Sequence, residues 1–173
     1  DTATTEIYTG EDTLSLHDLF RSGAGAPKIQ IDASGLAVTI VVTSWHTEIT
    51  EGLLAGAERA LKAAGNDVYS IMRVPGAFEL PLAAQYAIED GAEVVIALGV
   101  VIRGGTPHFE YVCNAATDGL TRVQLDTGIP IGFGLLTVDT EQQALDRAGL
   151  KNSKEDKGAE AVEAAITMAR LKA

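Results

Sequence analysis

The feature that most constrains this chain is a regular alternation of strand-like and helix-like segments from Gly35 onward. Short apolar, β-branched runs predict buried strands, and segments with apolar residues at helical spacing follow them. The predicted strands are Ala37–Thr43, Val68–Val74, Glu93–Ile102 and Ile131–Thr137. The predicted helices cover Ile49–Ala64, Leu82–Glu89, a long segment from Pro107, a short one from Thr140, and about Gly158–Lys172. This order predicts a three-layer α/β/α sandwich around a four-stranded parallel sheet with right-handed crossovers.

Composition excludes several classes of protein. The 173 residues are 46% hydrophobic and carry a net charge of −11, so we expect a globular protein that binds neither nucleic acid nor an anionic membrane. The longest apolar run, Val94–Ile102, is far shorter than the ~20 residues of a membrane-spanning helix. A single cysteine, Cys113, excludes an intrachain disulfide, most simply fills the core, and fits a reducing, cytoplasmic location.

The N-terminal segment differs from the rest. Residues 1–22 are acidic, and a Gly/Ala/Pro joint follows them. We therefore predict a flexible tail and joint over residues 1–27 and one folded domain over residues 28–173. The spacing of Leu16, Leu19 and Phe20 leaves an alternative open, namely a short helix that docks on a partner.

In parallel sheets, sites form outside the carboxyl ends of the strands. The unusual residues lie in those loops. The segment Arg103–His108 joins a predicted strand directly to a helix, and its glycines allow a ligand to approach the backbone. We expect Thr106 to cap the helix, Pro107 to occupy its first position, and the free N–H groups to attract an anion beside His108. A tight turn with a solvated histidine is an equally good reading of the spacing alone.

Two more loops carry candidate groups. Trp45 follows the first strand, where it can stack on a flat heterocycle or form a hydrophobic lid. Glu79 lies on a loop stiffened by Pro75 and Pro81, where it can accept hydrogen bonds from hydroxyls or stabilise the start of a helix. No Cys/His cluster has the spacing of a zinc site, so no metal is predicted.

Together these loops resemble the 6,7-dimethyl-8-ribityllumazine synthase family. The resemblance covers roughly Ser34 to Leu171, and Trp45 with His46 is similar to the actinobacterial branch. The segments that carry it are Ser44–His46, Gly76–Pro81, Gly99–Tyr111, Gly134–Thr137 and Gln143–Gly149.

The resemblance implies a flavodoxin-like fold and a transferase of riboflavin biosynthesis. The family condenses 5-amino-6-(D-ribitylamino)uracil with 3,4-dihydroxy-2-butanone 4-phosphate, giving the lumazine, orthophosphate and water. The amine attacks the ketone to form an imine, phosphate leaves, and the ring closes. No cofactor is implied.

The resemblance also assigns roles to matching residues. His108 is the proton shuttle and the catalytic residue. Gly105, Thr106 and Arg147 are expected to bind the butanone phosphate, and Lys157 matches a further position of the family's site. The positions implied for the aminouracil are Trp45, Ala77, Phe78, Glu79, Val100, Val101, Ile102 and Phe133.

Phe133, Arg147 and Lys157 match positions that, in the family, reach the site from a neighbouring subunit. The resemblance therefore implies a homopentamer or an icosahedral shell of pentamers, and an association with riboflavin synthase. Three alternatives remain at this point: a self-assembling scaffold that displays the tail, an archaeal-type riboflavin synthase, and a flavodoxin-like receiver or flavin carrier. Against the receiver, Ser44–His46 stands where a receiver has paired acidic residues.

Overall fold

A computed structural model describes residues 30–172. The predicted tail and joint, residues 1–27, lie outside the described residues. The chain forms a parallel four-stranded sheet in the order β2-β1-β3-β4, with helices on both faces. The strands are β1 (Val38–Thr43), β2 (Tyr69–Val74), β3 (Val94–Ile102) and β4 (Ile131–Val138), and the helices are α1 (Thr47–Ala63), α2 (Leu80–Glu89), α3 (His108–Thr127), α4 (Glu141–Leu145) and α5 (Lys157–Leu171). The predicted α/β/α sandwich is confirmed.

Two apolar layers enclose the sheet. On one face, α1 and α5 cover residues of β1 and β3 that include the fully buried Ile40 and Ile96. On the other face, α2 and α3 cover Val41, Val95 and Ala97. The nine residues of β3 are apolar or glycine because both faces of this central strand are covered.

Local signals account for several element ends. Thr140 caps α4 by accepting a hydrogen bond from Gln143 N at 3.2 Å, as its spacing predicts. Gly65 closes the turn after α1 with a left-handed φ of +82°. Helix α2 begins at Leu80, two residues earlier than predicted, because the 3₁₀ turn Ala77–Glu79 leads directly into it.

Two expectations are corrected. Thr106 does not cap α3: Pro107 occupies the N-cap position, no side chain caps the helix, and α3 begins at His108. Cys113 is half-buried and lies outside both core clusters, so it is not a core residue. Its partial burial raises the pKa of the thiol.

Candidate functional site

A cleft of about 690 Å³ lies at the carboxyl end of the sheet, where the loops after β1, β2 and β3 meet. Parallel strands bring these loops to one edge, as the sequence predicts. Eight predicted site residues line the cleft: Trp45, Ala77, Phe78, Glu79, Val100, Val101, Ile102 and His108. Most of the predicted aminouracil site is therefore assembled within one chain.

The turn after β1 presents Trp45 at the mouth of the cleft. Ser44 ties this turn to the end of β2, because its Oγ donates to Val74 O at 3.0 Å. His46 has a left-handed backbone with φ 58°, a conformation that is costly for a residue with a side chain. The Trp45 side chain is 68% exposed, and it lies so near Gly76 that a Cβ there would be 3.6 Å from Cδ1 of the indole.

The two carboxylate oxygens of Glu79 differ in their hydrogen bonds. Its Oε2 accepts a hydrogen bond from Gly76 N at 2.9 Å, which closes the 3₁₀ turn. Its Oε1 accepts none from the described residues. The carboxylate therefore stabilises the start of this turn and still offers an acceptor to hydroxyl groups in the cleft.

The end of β3 offers backbone groups to the cleft. Pairing of β1 with β3 stops at Val42 opposite Leu98, so β3 continues with β4 on one side only. Arg103 N donates to Val138 O at 2.9 Å, towards β4. Because alternate residues of a parallel strand direct their backbone groups to opposite neighbours, Val100 and Ile102 face the edge that β1 leaves.

By the same alternation, the backbone of Val101 faces β4, opposite Thr137. Val101 therefore borders the cleft with its side chain, which packs towards α2 and α3. The resemblance did not distinguish Val101 from its two neighbours, because that distinction depends on the register of the sheet.

The loop from Gly104 to Pro107 is exposed and open. No atom lies within 4 Å of the position of a Cβ on Gly104 or Gly105, so nothing packs on this stretch of backbone. The loop ends at the N-terminus of the 20-residue helix α3, where free N–H groups and the helix dipole favour an anion. Gly105 and Thr106 lie on this loop beside His108 but do not line the cleft itself.

Three predicted residues lie elsewhere on the chain. Phe133 on β4 is 49% exposed and borders a separate depression beside α3. Arg147 and Lys157 lie together around Glu155, with Arg147 Nε 3.9 Å from Oε1 and Lys157 Nζ 2.6 Å from Oε2. The structure thus does not bring these three to the cleft of their own chain.

The charges around Lys157 keep it protonated. Burial lowers the pKa of Lys157, but its ion pairs with Glu155 and Glu160 together outweigh that effect, so the net shift is upward. Arg147 donates from Nη1 to Gln143 O at 2.9 Å, which directs its guanidinium along α4. Arg147 and Lys157 therefore share the carboxylate of Glu155, and Lys157 also forms an ion pair with Glu160 at 2.7 Å.

Sequence reasoning missed several lining residues. His46, Gly76, Tyr111 and Val112 also border the cleft. Tyr111 follows His108 by three residues, so helical spacing alone places both on one face of α3. Among residues 30–172, no group of His, Cys, Asp and Glu side chains has the arrangement of a metal site, and no helix is long and apolar enough to cross a membrane.

Comparison with known proteins finds matches to one family over most of the chain. The family model described as 6,7-dimethyl-8-ribityllumazine synthase matches residues 35–173. A curated protein of that name from Leifsonia xyli subsp. xyli is 65% identical over 150 residues, covering 86% of this chain and 94% of the relative. One from Clavibacter sepedonicus is 63% identical over 153 residues, covering 87% of this chain and 95% of the relative.

The chain belongs to the 6,7-dimethyl-8-ribityllumazine synthase family. The matched region includes every residue of the cleft and excludes residues 1–34. A further family member from Kineococcus radiotolerans is 63% identical over 145 residues, covering 84% of this chain and 90% of the relative. The flavodoxin-like sandwich implied by this family agrees with the parallel sheet and its two helical layers.

Proposed function

We propose that this chain condenses 5-amino-6-(D-ribitylamino)uracil with 3,4-dihydroxy-2-butanone 4-phosphate to 6,7-dimethyl-8-ribityllumazine, in riboflavin biosynthesis. The observation that carries the proposal is the cleft, which brings an aromatic platform, an acceptor carboxylate and a histidine to the end of β3. Membership in the family indicates which reaction to expect. The cleft and the adjoining start of α3 supply groups for both substrates.

The aminouracil fits the half of the cleft near β1 and β2. Trp45 offers an exposed indole face on which the pyrimidine ring stacks. The backbone groups of Val100 and Ile102 face the polar edge of that ring. Ala77, Phe78 and the free oxygen of Glu79 line the wall that receives the ribityl hydroxyls.

The butanone phosphate fits the start of α3. Gly105 and Thr106 bring their backbone to the phosphate, which the helix dipole favours at this end. The amine then attacks the ketone and water leaves as the imine forms. His108, at the edge of both substrates, takes and returns protons as orthophosphate is eliminated and as the ring closes with loss of a second water.

A second subunit completes the site in this proposal. Phe133 and the pair of Arg147 and Lys157 lie away from the cleft, and large apolar side chains at the cleft mouth are uncovered. A ring of identical subunits places the Phe133 and Arg147 of one copy against the cleft of the next. We propose a homopentamer, with the icosahedral shell as its larger assembly.

The test is a cofactor-free assay with the two substrates. We expect lumazine absorbance to appear well above the spontaneous rate, and light scattering on the same sample to give the mass of a pentamer or a shell. A large particle without acceleration would favour the scaffold that displays the tail. A product derived from two lumazines would favour a riboflavin synthase instead.

Two finer expectations stay predictions. The association with riboflavin synthase is tested by co-sedimentation of the two purified proteins. The prediction of a cytoplasmic location is based on the single cysteine, and fractionation of the source cells tests it.

A further inference from the structure

Arg103 is a charged residue between Ile102 and the loop before His108, and the proposed reaction does not use it. It follows β3 directly, and its side chain makes three contacts. Nε donates to Asp139 Oδ1 at 2.7 Å, and Nη1 forms an ion pair with Glu110. The guanidinium carbon also lies 4.3 Å from the centre of the Phe109 ring, a cation–π contact.

These contacts join three elements. Arg103 follows β3, Asp139 follows β4, and Phe109 and Glu110 lie in the first turn of α3. Asp139 is itself held, because its N–H donates to Gln143 Oε1 at 2.8 Å. The planar guanidinium therefore ties the start of α3 to the ends of both strands, which a flexible ammonium does less well.

The segment between these contacts has little support of its own. None of the hydrogen bonds among residues 30–172 involves Gly104, Gly105 or Thr106. Nothing packs on the two glycines, and α3 lacks a side-chain cap. The position of this loop and of His108 depends on its two ends, and Arg103 links both.

We propose that Arg103 is a positioning residue, which holds the Gly104–Pro107 loop and His108 in the geometry that binds phosphate and transfers protons. The proposal rests on the proposed function of this site. Arg103 is not assigned as a phosphate ligand, because two carboxylates already engage its guanidinium. The ion pair with Glu110 also lowers the pKa of that carboxyl, so the pair stays charged at neutral pH.

The experiment compares Arg103→Gln and Arg103→Lys with Arg122→Gln in the full chain. Arg122 is a matched control, since it lies on α3 and its one ion pair among residues 30–172, with Asp126 at 3.4 Å, is exposed. We expect Arg103→Gln to lower kcat about 10- to 100-fold and to raise KM for the butanone phosphate. We expect KM for the aminouracil to change less than about twofold, Arg103→Lys to recover part of kcat, and Arg122→Gln to match the unaltered chain.

A second variant separates positioning from direct binding. Asp139→Asn weakens one partner and leaves the guanidinium more available. If Arg103 bound phosphate directly, calorimetry with inorganic phosphate would show equal or tighter binding to Asp139→Asn; a positioning residue predicts weaker binding. Asp139→Asn also keeps the proposal testable if Arg103→Gln does not assemble.

The outcomes distinguish this proposal from the function on which it rests. If the unaltered chain were inactive, the proposed reaction would be wrong. Calorimetry would still compare the phosphate affinity of Arg103→Gln with that of Arg122→Gln, and so would still test the positioning role. Unchanged kcat, KM and phosphate affinity in Arg103→Gln, in an active chain, would overturn the positioning role alone.

Discussion

At the residue scale, single side chains of the cleft serve both folding and binding. Glu79 closes the 3₁₀ turn with one oxygen and presents the other to the cleft. His46 adopts a left-handed backbone that turns the chain from β1 into α1 and leaves Trp45 exposed. Such strained or doubly used residues concentrate at functional sites, where the surrounding structure holds them.

We predict that His108→Ala slows turnover about 100-fold or more, the range for loss of a general acid–base group. Assembly is expected to persist, because His108 is exposed at the first position of α3. Steady-state kinetics with light scattering on the same sample tests both parts. Unchanged kinetics would remove His108 from the mechanism.

We predict that Arg147→Ala raises KM for the butanone phosphate about tenfold, because a charged hydrogen bond to an anion is lost. KM for the aminouracil is expected to change far less, and Arg122→Ala provides the surface control. Equal increases for both substrates would contradict the assignment of Arg147 to the phosphate.

At the element scale, glycines set the close approach of α1 and α5. A Cβ on Gly158 would lie 2.0 Å from Leu53 O, a contact with backbone that cannot give way cheaply. A Cβ on Gly56 would lie 2.1 Å from Asp156 Oδ1, the same carboxylate that caps α5 by accepting from Ala159 N. The crossing of these helices positions Lys157 at the start of α5.

We therefore predict that Gly158→Ala destabilises the protein by about 1–3 kcal/mol, the usual range for overpacking. Gly104→Ala is the matched control, because its Cβ would meet no atom within 4 Å. Urea unfolding monitored by circular dichroism measures the shift. A Gly158→Ala midpoint equal to that of the control would show that the two helices separate without cost.

At the scale of the whole molecule, the proposed site needs residues from two copies. The cleft belongs to one chain, whereas the Arg147 and Lys157 pair lies outside that cleft. A ring in which each subunit lends its pair to the next explains both observations. In this proposal the catalytic unit is the interface between two subunits rather than the single chain.

We predict that oligomers assembled from equal amounts of the His108→Ala and Arg147→Ala chains are more active than either variant alone. In a ring, about a quarter of the sites combine an unaltered cleft with an unaltered arginine. The measurement is kcat/KM for the butanone phosphate after co-unfolding and reassembly, compared with a simple mixture of the two folded variants. Activity equal to that mixture would mean that each chain completes its own site.

Deletion of residues 1–22 is expected to leave kcat and both KM values within about twofold, because the family match begins at Gly35. Kinetics of the shortened and full chains, with scattering to compare their assemblies, tests this. A large loss of activity would show that the segment helps to build the site.

Much of the fold follows from local patterns in the sequence. The apolar run Val94–Ile102 identified the central strand, and the Thr140 to Gln143 spacing identified a capped helix. These signals are local, since burial on both faces and a hydrogen bond three residues away leave their mark within one segment. The motifs of the four loops likewise predicted eight residues that line the cleft.

Other features depend on contacts between distant segments. The pairing of β3 with β4 directs the backbone groups of Val101 towards β4, whereas the backbone groups of Val100 and Ile102 face the cleft. The link from Arg103 to Asp139 spans 36 residues, and nothing in either local sequence indicates it. The sequence by itself determined the order of strands and helices and which loops carry chemistry, because those follow from periodicity and residue type. Only the tertiary structure decided which backbone groups are open, how the Gly104–Pro107 loop is held and which predicted site residues lie outside the cleft of their own chain. These features depend on strand register and on packing between segments far apart in the chain.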